Sequence, residues 1–129
     1  MLKEVTIVIG KERCTAELLV NEAPTICHLV EQNLPLRGVL GHGKLVDNEV
    51  YFEVPFFVDE PENLKPPRLG DLTFANIGPT ICIFYGDMVP FFPLCTFGRI
   101  TQNLEGFRKE AREVWQEPGK MITLKAKEA

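Results

Sequence analysis

No run of apolar residues in this 129-residue sequence is longer than a few positions, so no segment suits a bilayer-spanning helix. Positive charge is in short supply as well. The 14 Lys and Arg are outnumbered by 18 Asp and Glu, for a formal net charge of -4. Nucleic-acid binders carry a basic excess, so neither nucleic acid nor a membrane is expected as a partner. Met1-Leu2-Lys3-Glu4-Val5 lacks the charged head and apolar core of a secretory signal, and a cytoplasmic location is expected. Histidine occurs twice, and the cysteines at 14, 27, 82 and 95 form no Cys-x-x-Cys pair. Cys27 and His28 are neighbours in a helical pattern, about 100° apart, and cannot easily share one ion. No metal or other cofactor is therefore expected. The four thiols read as reduced, packed as small apolar groups, although a hyperthermophilic source would leave disulfides open. There is no Ser-His-Asp set, and Gly38, Gly41 and Gly43 are followed only by Lys44, short of a phosphate-binding loop.

What is present is an ordinary globular composition, 45% hydrophobic and 25% charged, enough for one domain over residues 1–129. Aromatic side chains are concentrated in the middle. All nine Phe, both Tyr and the single Trp lie between Tyr51 and Trp115, together with most of the prolines. The first fifty residues supply framework, and a binding surface belongs in the middle.

Val5, Ile7 and Ile9 alternate, Gly10-Lys11 turns, and Cys14, Ala16 and Leu18 alternate again, which predicts a hairpin. A helix follows over Pro24–Asn33, with Pro24 in its first turn, Ile26, Leu29 and Val30 as its stripe, and Pro35 after it. Leu36–Val46 reads as short extended pieces broken by glycine, and Asp47-Asn48 as a turn. Val50, Phe52 and Val54 mark a strand. Asp59–Leu69 is acidic and proline-rich, without regular structure. A strand follows with Leu72, Phe74 and Asn76 on one face and Thr73, Ala75 and Ile77 on the other. Thr80–Tyr85, apolar on both faces, reads as a central covered strand. Pro90 and Pro93 keep the next stretch in a loop or on an edge. A long helix spans about Gln102–Gln116, capped by Thr101. It buries Leu104, Phe107, Ala111, Val114 and Trp115, and turns Arg108, Glu110, Arg112 and Glu113 outward. Ile122, Leu124 and Ala126 close the chain as a strand. Many short strands, two helices and no βαβ rhythm predict a mainly β fold, a closed or nearly closed barrel with helices over its ends.

Two stretches carry a resemblance. Gly70-Asp71-Leu72-Thr73-Phe74-Ala75-Asn76-Ile77-Gly78-Pro79 resembles the Gly-x-Leu-Ser-Met-Ala-Asn-x-Gly-Pro segment of the cyclophilins, the β-barrel peptidyl-prolyl isomerases. Phe97-Gly98-Arg99-Ile100, followed by Asn103-Leu104, is similar to their Phe-Gly-Lys-Val leading into a helix. Ile81-Cys82-Ile83-Phe84-Tyr85-Gly86 and the short length look like the compact prokaryotic cyclophilin-like proteins. The resemblance implies the barrel, and a backbone strip at Ala75-Asn76-Ile77 on which an extended peptide lies.

It does not bring the family's chemistry with it. Cyclophilins place an arginine on a Phe-His-Arg strand. A cation there weakens the double-bond character of the prolyl amide, whose rotation barrier is ~20 kcal/mol. The corresponding strand here is Tyr51-Phe52-Glu53-Val54-Pro55, with an acid about where the cation is wanted. The family's Trp and His fall near Val89 and Leu94 and are missing. The segment after Gly78-Pro79 is too short for the family's Asn-Gly-Ser-Gln run. Arg37, beside Gly38, is the residue that could replace the cation, set against an ordinary solvated loop arginine. Arg99 matches a family lysine with no catalytic role and reads as surface.

The expected ligand groove is thus lined by Phe52, Ala75, Asn76, Ile77, Phe84, Tyr85 and Phe91, and takes a peptide segment or a small apolar ligand. A divergent isomerase using Arg37 is the alternative. Glu53 and Tyr51 point opposite to Phe52, so Glu53 faces either the surface groove, where an acid would prefer a cationic ligand, or solvent, and it reads as strand exterior. His28 reads as structural, and His42, between two glycines, as exposed and mobile with no predictable partner. Phe91-Phe92-Pro93 caps a pocket, or one Phe plugs the barrel end while the other packs on a loop. A homo-oligomer or accessory-subunit contact explains an exposed Phe equally well.

Overall fold

The computed structural model describes residues 1–43, 48–76, 78–87 and 90–127. Lys44, Val46 and Asp47 of the glycine-broken stretch and its turn, Ile77 of the strip, and Val89 lie outside them.

The first hairpin pairs β1 (Glu4–Ile9) with β2 (Glu12–Leu18), setting Val5 against Ala16 and Ile7 against Cys14 on the core face. Its turn depends on Gly10, which has a φ of 54° that side chains disfavour. α1 (Pro24–Asn33) buries Ile26, Cys27 and Val30 and has no side-chain cap of its own. The cap comes from the acidic, proline-rich segment. The Thr25 and Ile26 amides donate to the Glu62 carboxylate at 3.0 and 2.9 Å, where the positive end of the helix favours an anion.

Short strands β3 (Leu36–Val39) and β4 (Gly41–His42) precede β5 (Glu49–Glu53) and the two-residue β6 (Leu64–Lys65). Then come β7 (Asp71–Ala75), β8 (Thr80–Phe84), β9 (Leu94–Gln102), α2 (Leu104–Val114) and β10 (Met121–Ala126). The strand order is β3-β10-β1-β2-β9-β7-β8-β5-β4, every pair antiparallel, with β6 attached to β9. The two ends of this order are consecutive in the chain. Leu40 alone separates them, and its amide donates to the Lys120 carbonyl at 2.9 Å. The chain therefore bonds β10 up to Leu40 and β5 beyond it, and the sheet becomes a nearly closed barrel, as expected. Val5, Ile7, Ile9, Val50, Leu72, Ile81, Ile83, Ile122 and Leu124 fill it with no exposed surface.

β8 is the covered central strand its apolar run predicts, buried from Ile81 to Phe84 between β7 and β5. Three features depart from the expectations. The stretch framed by Pro90 and Pro93 is the expected loop, but residues 94–102 beyond it form a nine-residue strand between β2 and β7 that the alternation does not announce. Its pairing shifts register between Thr15 and Ala16 and between Leu72 and Thr73, and these bulges break the alternation by which a strand is read. The second helix is capped by Asn103, in the left-handed region at φ 63°, whose side chain accepts from the Gly106 amide at 3.3 Å. Thr101 instead donates its hydroxyl to the Thr15 carbonyl at 3.4 Å.

Glu110 is the third, buried rather than outward. Lys120 Nζ lies 2.8 Å from its Oε1 and 3.1 Å from its carbonyl. A Cβ on Gly10 would overlap the Glu110 carboxylate, so the turn and the helix fit only around glycine. Hydrogen bonding to Lys120 outweighs burial and holds the Glu110 carboxyl below the usual carboxylate range, and the Lys11 backbone adds to the effect.

Candidate functional site

β3 and β5 run side by side without ladder pairing between them, and a groove of about 780 Å³ opens along this seam. Arg37, Val39 and Gly41 line one wall, Tyr51 and Glu53 the other, and Gly78 and Thr80 the end. Two glycines bring the walls together. A Cβ on Gly38 would lie 3.0 Å from Phe52 Cβ, and one on Gly41 would lie 2.6 Å from the Tyr51 ring. The glycine-broken stretch is therefore the part of the chain on which the aromatic residues of β5 rest.

Strand alternation sets the direction of each side chain. Leu36 and Phe52 point into the barrel and are buried, so Arg37 and Glu53 point out of it and are exposed. Neither Arg37 nor Glu53 makes an ion pair among the described residues. Thr80 pairs with Glu53 on one side and Ala75 on the other, which connects the groove to the end of β7.

Behind this surface, Cys82 stands opposite Tyr51 on β8. Burial, then the nearby Glu49 charge, push its thiol up to about 12, so it is a neutral thiol and a poor nucleophile. Burial also raises the Glu49 carboxyl, against a hydrogen bond from Cys82. Burial pushes Cys14 to about 11 and Cys27 to about 12, and their thiols donate to the Asn103 and Phe97 carbonyls at 3.4 and 3.5 Å. All four cysteines are free. Among the described residues no three metal-ligating side chains converge.

The expected site residues are only partly brought together. Arg37 and Phe52 line the groove, Phe52 by its edge since it is 2% exposed. Ala75 is half-buried beside Thr80. Asn76 has its amide committed: it donates to the Val58 carbonyl at 2.6 Å and accepts from the Val58 amide at 3.0 Å. It thereby ties the segment after β5 to the end of β7. Phe84 is completely buried and lines no groove. Phe91 and Phe92 meet edge to face at 6.3 Å, 91% and 49% exposed. Neither plugs the barrel, because prolines hold this turn outside it. Arg99 is only partly a surface residue, since its Nε lies 3.4 Å from the fully buried Asp71 carboxylate.

Tyr85 belongs to a different corner. It is 5% exposed, and its hydroxyl lies 2.6 Å from His42 Nε2. His42 Nδ1 lies 3.0 Å from the Gly43 carbonyl, so a hydrogen bond there has Nδ1–H as its donor. Trp115 sits edge-on to His42 at 4.8 Å. Together with Arg112 these residues border a small cavity of about 320 Å³. His42 is thus half-buried and held, not mobile. Trp115 is 58% exposed, because it stands at the cap past Val114 and lies against His42 instead of the core. Alternation sets Tyr51 opposite Phe52, on the groove or solvent side, whereas the His42–Trp115 contact is beyond sequence reasoning, since its partners come from distant parts of the chain.

A family model described as cyclophilin-like matches residues 3–115. No curated protein matches by sequence. McbB, solved in complex with tryptophan, is similar at a TM-score of 0.85 and 17% identity over 97% of this chain. The match spans 45% of that protein's length. A cyclophilin-type peptidyl-prolyl cis-trans isomerase of Cryptosporidium parvum, solved in the presence of the dipeptide Ala-Pro, gives 0.72 and 16% over 98% of this chain and 100% of that one. A hypothetical protein of Archaeoglobus fulgidus gives 0.70 and 22% over 98% and 95%. At these identities the likeness is one of fold.

Proposed function

The chain belongs to the cyclophilin-like family, and from that premise we propose that it is a binding module whose seam groove, beside Ala75 and Asn76, takes a peptide segment or a small apolar ligand. The observation that carries this is the groove itself, about 780 Å³, lined by the Tyr51 ring and the exposed Val39 together with a few polar side chains. That volume lies within the range of small-molecule sites, and an apolar lining with few polar groups is their usual make-up. Similar barrels solved with Ala-Pro and with tryptophan support the reading. We propose further that it works without a cofactor or nucleic acid, in a prokaryotic cytoplasm.

One observation favours a second reading, a divergent isomerase. Arg37 lines the same groove as Thr80, next to the strip where the family lays its peptide. A guanidinium donating to a prolyl nitrogen would lower the rotation barrier. The resemblance puts Glu53 about where the family's arginine is wanted, and an acid there works against that chemistry. The exposed Phe91 and Phe92 fit a contact with a second copy or a partner, a role independent of the groove.

An NMR exchange assay of Xaa-Pro isomerisation, run beside an amide chemical-shift titration with the same peptides, tests both. Binding that shifts Gly38, Gly41 and Thr80 without accelerating isomerisation is the expected result. Acceleration abolished by Arg37→Ala would establish the isomerase. No shifts and no acceleration would remove the groove from consideration.

A further inference from the structure

We propose that the ligand of the seam groove is a free zwitterion, an amino acid or dipeptide with both termini unblocked, its carboxylate on Arg37 and its ammonium on Glu53. This rests on the groove being the binding site and adds what the site selects.

The two charges flank one of the two places where the walls meet: Gly38 lies against Phe52, and Arg37 and Glu53 are the chain neighbours of that pair. Both side chains are exposed, and both border the one groove. A lone solvated arginine or glutamate would mean nothing. Here, though, opposite charges stand on facing walls, and neither is paired among the described residues, whereas Arg99, Arg108 and Lys120 each have a carboxylate within 3.4 Å.

A molecule bearing one charge of each sign satisfies both walls at once, and a singly charged one leaves the other charge unmet. Size follows from the groove itself, whose volume of about 780 Å³ suits a ligand of one or two residues and not a long peptide. Arg37 presents a planar fork suited to a carboxylate, and Glu53 accepts from an ammonium. The Tyr51 ring and Val39 line the same groove, so the ligand side chain facing it is apolar or aromatic. An internal Xaa-Pro segment of a protein offers neither terminal charge. The acid that replaces the family's cation therefore redirects the groove from chain interiors to free ends.

The test compares Ala-Phe with N-acetyl-Ala-Phe-amide by isothermal titration and amide shifts on the whole chain. Ala-Phe is expected to bind about tenfold more tightly, the size of one or two charge-assisted contacts near a surface. The advantage should shrink as salt is raised. Ala-Phe-amide should bind Arg37→Gln and the unaltered protein alike, and N-acetyl-Ala-Phe should be indifferent to Glu53→Gln. Equal affinity for blocked and unblocked peptides, with shifts at Gly38 and Thr80, overturns the zwitterion while the groove stands as a binding site. Shifts from neither peptide overturn the groove, and the inference with it. A folded amide spectrum for both variants separates lost binding from lost structure.

Discussion

At the β1–β2 turn, Glu110 reaches over a glycine to the Lys120 ammonium and the Lys11 backbone, and this buried carboxylate is matched from within. Across the barrel, glycine again lets two segments touch, at Gly38 and Gly41, but there the neighbouring Arg37 and Glu53 have no ion-pair partner among the described residues. The same device of a missing Cβ thus serves two purposes. Where the polar groups close on one another, the contact holds α2 to the hairpin. Where they do not, the contact leaves an open groove whose unmet charges are available to a visitor. Buried charges cost stability unless paired, whereas exposed ones can stay open at little cost.

The sharpest way to break the contrast is Glu110→Ala. It leaves Lys120 nearly buried without its main partner and should lower unfolding stability by about 3 kcal/mol in urea melts. Arg37→Gln and Glu53→Gln, by comparison, should each change stability by less than about 0.5 kcal/mol. A loss at the seam as large as at the turn would mean the seam charges are structural.

Acid titration gives a smaller effect. Because the folded state holds the Glu110 carboxyl below its unfolded value, its contribution is present above the usual carboxylate range and is lost as pH falls through it towards the folded value. Glu110→Gln should flatten that limb of the stability profile. Glu49 has the opposite sign: burial raises its carboxyl, so its unfavourable contribution at neutral pH is relieved as pH falls, and Glu49→Gln should not flatten the limb. The smallest effect is chemical. Cys95, the half-buried one, should react first with a thiol reagent in the native protein, with Cys14, Cys27 and Cys82 following only in denaturant.

Local patterns carried the frame. Val50, Phe52 and Val54 alternate over a regular strand, Pro24 opens a helix as the rule predicts, and the barrel and its two helices follow from such signals. β9 escaped because two bulges disrupt its period, and Asn103 because a left-handed cap has no strong residue signature. Glu110 looked like any outward charge, since its partner Lys120 comes from beyond the helix. The groove was legible only by halves. Arg37 and Glu53 could each be singled out, but their sharing of one cleft is created by barrel closure, which local alternation does not encode. Phe84 and Asn76 show the converse, residues whose types suit a ligand but whose surroundings already occupy them.

The chain's single indole has a practical consequence. Trp115 touches His42, the residue after Gly41, and Gly41 is part of the groove wall. Its fluorescence therefore comes from one corner of the molecule, one residue removed from the seam. An emission change on adding a non-absorbing ligand would report that β4 has shifted. A silent titration alongside measured binding would show that the groove fills with this strand held still.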